Sequence, residues 1–335
     1  MITLGIETSC DETAVAVVED VFTVRSSLIA SQVDLHARFG GVVPEVAARA
    51  HVEALNPLIA QALEDAGVGF ADLDGVAVTS GPGLVGALLV GMAVAKSVAL
   101  AADVAFVGVN HLEGHIWANF LEHGPPDPPY VALVVSGGHT MLVHMRKAHE
   151  HHLLGQTLDD AAGEAFDKVA RLLSLPFPGG PALDRVAREG DPHAIRFPRA
   201  MADSDDFDFS MSGLKTAVLR HVKAERSAGR AIDVADLAAS FQEAIVDVQV
   251  EKTLRAAAEL DVGTVLLGGG VVANSRLRQR ISQEAEARGV EVRYPSLGLC
   301  TDNAAMIACV GAARLASGER SRMDIAADPN LRLAS

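Results

Sequence analysis

The 335-residue chain is poor in features that mark several large classes of protein. Aromatic residues make up only 4 % of it, too few for a protein that stacks single-stranded bases on aromatic side chains. Positive charge is scarce as well, because 28 Lys and Arg stand against 43 Asp and Glu, for a net charge of −15. This deficit excludes a uniformly basic nucleic-acid-binding module, although a local basic strip or a basic partner remains compatible with it.

Cysteines and long apolar runs are also few, and both bear on the compartment. Cys10, Cys300 and Cys309 form no Cys-x-x-Cys pair, so a disulfide scaffold is not expected. The N-terminus lacks the basic segment of a signal peptide. The most apolar stretch, Val85–Ala95, is followed by Lys96 and is too short to span a bilayer. We therefore predict a soluble cytoplasmic protein with no membrane partner.

Apolar residues are abundant, at 49 % of the chain with a mean hydropathy of +0.24. This length and composition predict two domains with cores of Ala, Val and Leu. Predicted strands alternate with predicted helices, which indicates an α/β fold. Two apolar strands flank a polar turn twice, at Ile2–Glu7 with Thr13–Val18 and at Tyr130–Val135 with Thr140–Met145. The repeat predicts a duplication in which each half offers a polar turn. Two segments are predicted to be irregular, a linker at 20–26 and a loosely held tail over the last fifteen residues.

His111 and His115 are spaced i, i+4 and would share one face of a helix, where both can reach one divalent cation. The zincin motif needs a Glu directly after the first His, but Leu112 stands there and Glu113 points to the far side. Asp302 is a possible third ligand, and the alternative is that it or the preceding threonine only caps a helix. Two histidines and one carboxylate would suit Fe(II) or Zn(II).

Glycine-rich turns are the second chemical theme. Gly137 and Gly138 lie in a turn between two predicted strands, and Gly268–Gly270 follow a buried strand. Such turns let backbone N–H groups approach an anion, although each alone is equally well explained as a tight turn. Neither matches the P-loop pattern, and together they favour a nucleotide-binding cleft.

Nine short strings in this order resemble the tRNA N6-adenosine threonylcarbamoyltransferase family (TsaD, formerly Gcp), over about residues 1–318. They are residues 5–13, 80–83, 111–115, 136–140, 163–168, 179–184, 209–215, 268–274 and 301–303. The resemblance implies two RNase-H-like lobes of the actin/Hsp70 (ASKHA) type around a central nucleotide cleft. We assign residues 1–109 with 303–335 to the first lobe and residues 110–302 to the second.

The resemblance also implies a reaction. Threonylcarbamoyl-adenylate donates its threonylcarbamoyl group to N6 of adenosine 37 in tRNAs that read ANN codons, and AMP leaves. It implies one divalent metal on His111, His115 and Asp302, with Fe(II) expected first and Zn(II) as the alternative. The substrate contacts that carry over are Val135, Ser136, Gly137, Gly138, His139, Asp167, Gly180, Asp184 and Asn274. For this implied reaction, Asp11 or Glu12 is a candidate to accept the proton lost from N6.

The implied partners are tRNA, a TsaB-like paralogue and a TsaE-like ATPase. Because tRNA is polyanionic, we predict that it touches basic strips, although ordinary solvated helix faces explain the same residues equally well. The first strip comprises Lys215, Arg220, His221, Lys223, Arg226 and Arg230, and the second comprises Arg276, Arg278 and Arg280. Three rival classes are a metalloprotease, a kinase-like or chaperone-like ATPase, and a non-catalytic scaffold.

Overall fold

The protein, described by a computed structural model over residues 1–147 and 149–333, separates into two compact units. The first comprises Met1–Pro125 and Pro295–Leu333, and the second comprises Pro126–Tyr294. These divisions differ from the predicted boundaries after residues 109 and 302. The reason is that the helix carrying His111 and His115 packs within the first unit, against the helix that follows Asp302.

Ten strands and twelve α-helices make up the described residues. The strands are β1 (Ile2–Glu7), β2 (Glu12–Glu19), β3 (Thr23–Ser31), β4 (Gly75–Gly81), β5 (Ala105–Asn110), β6 (Tyr130–Val135), β7 (Thr140–Lys147), β8 (Glu150–Gln156), β9 (Thr264–Gly268) and β10 (Glu291–Arg293). The helices are α1 (Val33–Ala37), α2 (Pro44–Ala66), α3 (Val85–Ala102), α4 (His111–Trp117), α5 (Phe120–His123), α6 (Ala162–Leu172), α7 (Gly179–Ala187), α8 (Ser212–Ser227), α9 (Val234–Glu259), α10 (Ser275–Arg288), α11 (Leu297–Cys300) and α12 (Ala304–Ala316). Short 3-10 helices occupy Phe70–Asp72 and Gly270–Ala273.

The two units contain five-stranded sheets of the same design. The strand order is β3-β2-β1-β4-β5 in the first and β8-β7-β6-β9-β10 in the second. In each, three antiparallel strands are followed by two parallel ones, with β4 parallel to β1 and β9 parallel to β6. The duplication predicted from the repeated hairpin is therefore confirmed.

The third strand of each antiparallel set, β3 and β8, was not predicted. Both are edge strands whose side chains are largely solvent-exposed, so they lack the apolar alternation that reveals a half-buried strand. The segment predicted as a linker at 20–26 contains the start of β3. Edge strands of this kind are recognisable only once their hydrogen-bonded neighbours are known.

Helix α12 lies directly on β1, and this contact positions the site. A Cβ atom on Gly5 would come within 2.4 Å of the carbonyl oxygen of Ala304 and 2.7 Å of Cβ of Ala308. Glycine is therefore required for this close approach. On the opposite side, α2 and α3 cover the sheet with an apolar core that includes Leu55 and Met92.

Two expectations about the chain need correction. The apolar stretch that was expected to be too short to span a bilayer belongs to helix α3, which runs past Lys96 to Ala102, and among the described helices only α3 is long and apolar enough to suit a membrane span by length and composition. In this unit it packs against β4 and α2. The C-terminal tail is not loose where it is described: its carbonyl groups at Ile325 and Arg332 accept hydrogen bonds from Lys96 and Asn110, and Asp328 pairs with the backbone of Ser80.

Candidate active site

The two predicted metal-binding histidines meet Asp302 in the first unit. Nε2 of His111 lies 3.4 Å, and Nε2 of His115 3.3 Å, from Oδ1 of Asp302. One ligand atom from each of the three residues fits within 4.8 Å of the others. Asn110 begins α4, because its Oδ1 accepts the N–H of Leu112 at 2.9 Å, and the helical repeat then places both imidazoles on one face.

Asp302 is free to serve as a ligand because another residue caps α12. Oδ1 of Asn303 accepts the N–H of Met306 at 3.0 Å, so neither Thr301 nor Asp302 has the capping role considered from the sequence. Helix α4 reaches α12 at Gly114, where a Cβ atom would lie 2.8 Å from Cδ1 of Ile307. This close approach brings distant segments of the chain into one group.

The donor set fits a divalent cation. Both ring nitrogens of His115 are buried and make no hydrogen bond with any residue of the described chain, although Nε2 faces Asp302. A buried polar atom without a partner is costly, and a cation would satisfy this one. Two imidazole nitrogens and one carboxylate oxygen match the ligands of Fe(II) and Zn(II) and leave coordination positions open. A His/His/Asp group able to hold a metal ion is therefore present.

Burial and charge act against each other in this group. Burial works to raise the pKa of Asp302, but the imidazoles of His111 and His115 outweigh it and hold that pKa well below its usual range. Burial alone would lower the pKa of His111, yet Asp302 and Glu7 raise it well above its usual value. The pKa of His115 is lowered by burial and by the neighbouring His111. Without a cation, the group therefore holds a proton on His111 and a negative charge on Asp302.

Glu7 is a buried carboxylate in contact with the metal group that the sequence reasoning missed. Its Oε2 lies 2.9 Å from Nδ1 of His111, and its side chain is fully buried. Burial works to raise its pKa, but His111 outweighs that effect and the pKa lies below its usual value. The available signal was a charged residue at the end of an otherwise apolar strand.

Asp11 lies in the turn between β1 and β2, and Glu12 is the first residue of β2, where the negative charge of Asp302 acts on it. The backbone of this turn is held by His51, whose Nε2 lies 3.0 Å from the carbonyl oxygen of Cys10, and by the N–H of Gln32, which donates to the carbonyl of Asp11. Burial, followed by the negative charges of Asp302 and Asp11, raises the pKa of Glu12 to about 9. Glu12 consequently holds a proton at neutral pH when no cation is bound nearby.

Glu113 takes no part in the metal group. It is buried on the far side of α4, where its Oε2 accepts a hydrogen bond from Nη2 of Arg314 at 2.5 Å. The prediction that it points away from the histidines is confirmed. It braces α4 to α12 and is not placed to activate water as a zincin glutamate does.

In the second unit, the predicted substrate contacts include the β6–β7 turn, which follows Val135. The N–H of Ser136 donates to the carbonyl of His139 at 2.8 Å, and the turn is closed by Oγ of Ser136, which accepts the N–H of His139. A Cβ atom on Gly137 or Gly138 would meet no atom within 4 Å. Nothing in the described chain demands glycine at these two positions, which leaves their backbone open to a ligand.

The other predicted contacts of the second unit lie at helix starts. Asp167 accepts the N–H of Gly179 at 2.8 Å and so holds the beginning of α7. A Cβ atom on the next residue, Gly180, would meet no atom within 4 Å. Asp184 accepts from the backbone and hydroxyl of Ser275 and pairs with Arg188.

Asn274 has a capping role and lies in the neighbourhood of a cavity. Its Oδ1 accepts the N–H of Leu277 and so caps α10, while its Nδ2 donates to Gln242 at 2.7 Å. A cavity of about 240 Å³ is lined in part by Arg188, Gln242 and Ser275, and these three are hydrogen-bond partners of Asp184 or Asn274. The structure thus brings Asp184 and Asn274 to one place in this unit.

The hydroxyl-rich start of α8 is capped from outside the helix. Asp159 accepts the N–H of Met211 at 2.7 Å and the hydroxyl of Ser210 at 2.5 Å, so these serines are not the caps. Lys168 pairs with Asp160 and Glu164, the ordinary ion pairs weighed from the sequence.

The two basic strips differ in how much charge they leave free. Arg276 and Arg280 pair with the buried Glu243, and Arg278 donates to the carbonyl of Val272. On α8, by contrast, three exposed side chains make no ion pair with any residue of the described chain: Arg220, Lys223 and Arg226. Lys215 and Arg230 of the first strip pair with Asp160 and Glu225, so the free charge of that strip is confined to the three side chains on α8, whereas Arg276 and Arg280 of the second strip are both neutralised.

Comparison with known proteins shows the family of this chain. The family model described as TsaD, tRNA N6-adenosine threonylcarbamoyltransferase, matches residues 23–309. The chain belongs to this family. It is 57 % identical over 331 residues to the tRNA N6-adenosine threonylcarbamoyltransferase of Anaeromyxobacter dehalogenans strain 2CP-C, covering 98 % of this chain and 99 % of that protein. It is 49 % identical over 333 residues to the protein of that name from Clostridioides difficile strain 630, covering 99 % and 98 %.

Solved structures with little sequence identity share the fold of this threonylcarbamoyltransferase family member. HypF of T. kodakarensis is 14 % identical with a TM-score of 0.65, over 94 % of this chain and 48 % of that one. Component A of the (R)-2-hydroxyglutaryl-CoA dehydratase of Acidaminococcus fermentans is 15 % identical with a TM-score of 0.55, over 94 % and 99 %. These likenesses and the two matching sheets confirm the predicted α/β fold of the ASKHA type.

Proposed function

We propose that this chain transfers the threonylcarbamoyl group of threonylcarbamoyl-adenylate to N6 of adenosine 37 in tRNAs that read ANN codons. Membership of the threonylcarbamoyltransferase family supports this reaction. The observation that carries it is the convergence of His111, His115 and Asp302 within 4.8 Å of one another in the first unit. In the step, N6 bonds to the carbamoyl carbon, the bond from that carbon to the phosphate oxygen breaks, and AMP leaves with the electron pair.

His111, His115 and Asp302 would hold the cation, with Fe(II) first and Zn(II) as the alternative. When bound, a divalent cation supplies Lewis-acid polarisation of a carbonyl oxygen. The donor is already an activated mixed anhydride, so the remaining tasks are to position it and to exclude water. N6 of adenine is a weak nucleophile, since its lone pair is delocalised into the ring. Positioning therefore matters more here than activation of the donor.

The proton lost from N6 needs an acceptor, and Asp11 or Glu12 would provide it. Asp11 lies in the turn after β1, Glu12 begins β2, and the two carboxyl groups are in different surroundings. Because the pKa of Glu12 is raised to about 9, this residue already holds a proton at neutral pH in the cation-free protein. Asp11 is therefore the first candidate for the acceptor, and Glu12 for a hydrogen-bond donor. Replacing either by alanine should abolish transfer while sparing binding of the adenylate; unchanged turnover would refute the role.

The second unit would bind the adenylate part of the donor. The open backbone at Gly137, Gly138 and Gly180 supports close approach of N–H groups to the phosphate, as in other anion-binding turns. Val135, Ser136 and His139 would complete the phosphate-binding turn. Asp167 would keep Gly180 in place, and Asp184 with Asn274, beside the cavity of about 240 Å³, would contact the nucleoside. Each of these roles is part of the proposal.

tRNA would contact the exposed cations of α8, and partner subunits would add further basic surface. The net charge of −15 supports the need for such partners, since the chain as a whole repels a polyanion. We propose a TsaB-like paralogue and a TsaE-like ATPase as these partners, acting together with this chain in the cytoplasm.

The deciding experiment is an assay of tRNA for the threonylcarbamoyl-modified nucleoside. The full chain is incubated with tRNA, metal and threonylcarbamoyl-adenylate, with and without the adenylate synthase and the two partners. Formation of the modified nucleoside that requires this chain supports the proposal. ATP hydrolysis without tRNA modification, or cleavage of a glycoprotein by the metal-loaded chain, would overturn it.

A further inference from the structure

The carboxylate of Glu7 is surrounded by donors on three sides. The backbone N–H of Ser9 donates to its Oε1 at 2.5 Å, and the hydroxyl of Thr79 donates to its Oε2 at 2.5 Å. The third contact is Nδ1 of His111, 2.9 Å from Oε2. Its side chain is fully excluded from water. Such a set of donors suits an ionised carboxylate, which can only accept hydrogen bonds.

This surrounding decides which nitrogen of His111 carries a proton. Because the carboxylate accepts, the proton must lie on Nδ1 in the neutral imidazole, and the lone pair then lies on Nε2. Nε2 is the atom that faces Asp302, at 3.4 Å. A metal ligand must present a lone pair, so His111 gives up one proton when a cation binds. Because Glu7 accepts a hydrogen bond from Nδ1, the proton that leaves is the one on Nε2, and Nε2 is then the nitrogen that faces the cation.

The neighbouring histidine lacks such an arrangement. Nδ1 of His115 is buried and has no hydrogen-bond partner among the described residues, so only packing holds that ring in place. The equivalent strand of the second unit also lacks it, since β6 ends at Val135 where β1 ends at Glu7. A buried carboxylate at this sheet position is therefore not a requirement of the fold.

We propose that Glu7 is a positioning residue that fixes the ring direction and tautomer of His111 for a divalent cation. The proposal rests on the metal centre of the proposed function and adds a specific partner to it. Carboxylates that hold a ligating histidine in this manner typically change metal affinity by about 10–100-fold when removed. Glu7 would thus make His111 the better-anchored of the two histidine ligands.

The test is a calorimetric titration of the full chain with Zn²⁺, comparing wild type with Glu7→Gln. The variant keeps the size of the side chain, but its amide NH₂ group cannot accept a hydrogen bond, so at least one of the three donors around residue 7 loses its acceptor. We expect its Zn²⁺ affinity to fall about 10–100-fold. The matched control is Glu113→Gln, which removes a buried charge from the same helix as His111 but on the far side. It should lower thermal stability and leave Zn²⁺ affinity unchanged.

A spectroscopic readout on the wild type covers the case in which Glu7→Gln does not fold. Long-range ¹H–¹⁵N spectra of the Zn²⁺-loaded chain should show His111 protonated at Nδ1 and bound through Nε2. Binding through Nδ1 would overturn the proposal, as would an unchanged affinity in Glu7→Gln or an equal loss in Glu113→Gln. If the wild type binds no Zn²⁺ and no Fe(II), the metal centre itself fails, and that result is distinct from a failure of Glu7 alone.

Discussion

The two units have sheets of the same strand order and carry different chemistry at equivalent places. In the first, β1 ends at Glu7, a buried carboxylate that contacts His111, and the strand leads into a turn that contains Asp11. In the second, β6 ends at Val135 and leads into a turn whose glycines leave open space. The first collects titratable side chains below the surface, whereas the second exposes backbone.

One fold can therefore offer two kinds of site at the same topological position. A buried carboxylate beside two imidazoles can hold a cation, because the imidazole nitrogens offer lone pairs and the cation compensates the desolvation of the carboxylate. Open backbone can hold an anion, because unpaired N–H groups are donors. We infer a division in which the first unit serves catalysis and the second serves binding of the nucleotide. Substitutions in each unit can test that division.

The largest effect is expected at Asp302. Replacing it with alanine removes the only carboxylate of the metal group and leaves two buried histidines that repel one another. Transfer to tRNA should fall about 10³-fold, equivalent to the several kcal/mol that a Lewis acid contributes. Single-turnover transfer and Zn²⁺ titration measure the change, and AMP binding is the control. A loss confined to AMP binding would contradict the division.

Removing a buried ion pair of the second unit should lower the stability of the fold. Glu243 is buried and pairs with Arg276 and Arg280, and Glu243→Gln should lower the free energy of unfolding by about 3 kcal/mol. Burial works to raise the pKa of Glu243, but hydrogen bonds from Arg276 hold it below its ordinary value of 4.5. The stabilisation is therefore present above pH 4.5 and is lost as the pH falls through the lower folded pKa. Urea unfolding of both proteins across this pH range should show the difference shrinking in acid; a constant difference would argue against the pair.

A smaller effect is expected at the glycine turn. Gly137→Ala adds a methyl group where no protein atom lies within 4 Å, so folding should be unaffected. AMP affinity should weaken about tenfold, or about 1.4 kcal/mol, because the methyl group occupies the space of the ligand. The control is Gly263→Ala, which is equally open but lies away from the turn. Metal affinity should not change in either variant. A loss of both AMP affinity and metal affinity in Gly137→Ala would contradict the assignment of nucleotide binding to the second unit alone.

The smallest effect is expected on the surface. Reversing the charge of Arg220, Lys223 and Arg226 should weaken tRNA binding a fewfold and reduce its salt dependence by about one for each phosphate that is no longer neutralised. The matched reversal of Arg276, Arg278 and Arg280 should change the salt dependence less and lower stability, since Arg276 and Arg280 are already paired with Glu243 and Arg278 donates to a backbone carbonyl. Filter binding at several salt concentrations distinguishes them. The opposite ranking would assign tRNA to the second strip.

Local patterns in the sequence were enough for much of the fold. The alternating strands, the long helices and the repeated hairpin follow from apolar periodicity, and the i, i+4 histidines follow from helix geometry. The edge strands β3 and β8 were not predicted, because their exposed side chains show no apolar alternation.

The residue pattern alone was sufficient for the family, the fold class and the identity of the side chains that are chemically able to bind a metal. Three-dimensional packing was needed to show that Asp302 joins the histidines while Asn303 caps the helix, that Glu7 contacts His111, and that Arg276 is neutralised. Sequence and tertiary structure contribute differently because the role of a charged side chain depends on which groups are buried beside it. That surrounding is set by contacts between distant segments, such as α12 on β1 at Gly5, which no local pattern encodes.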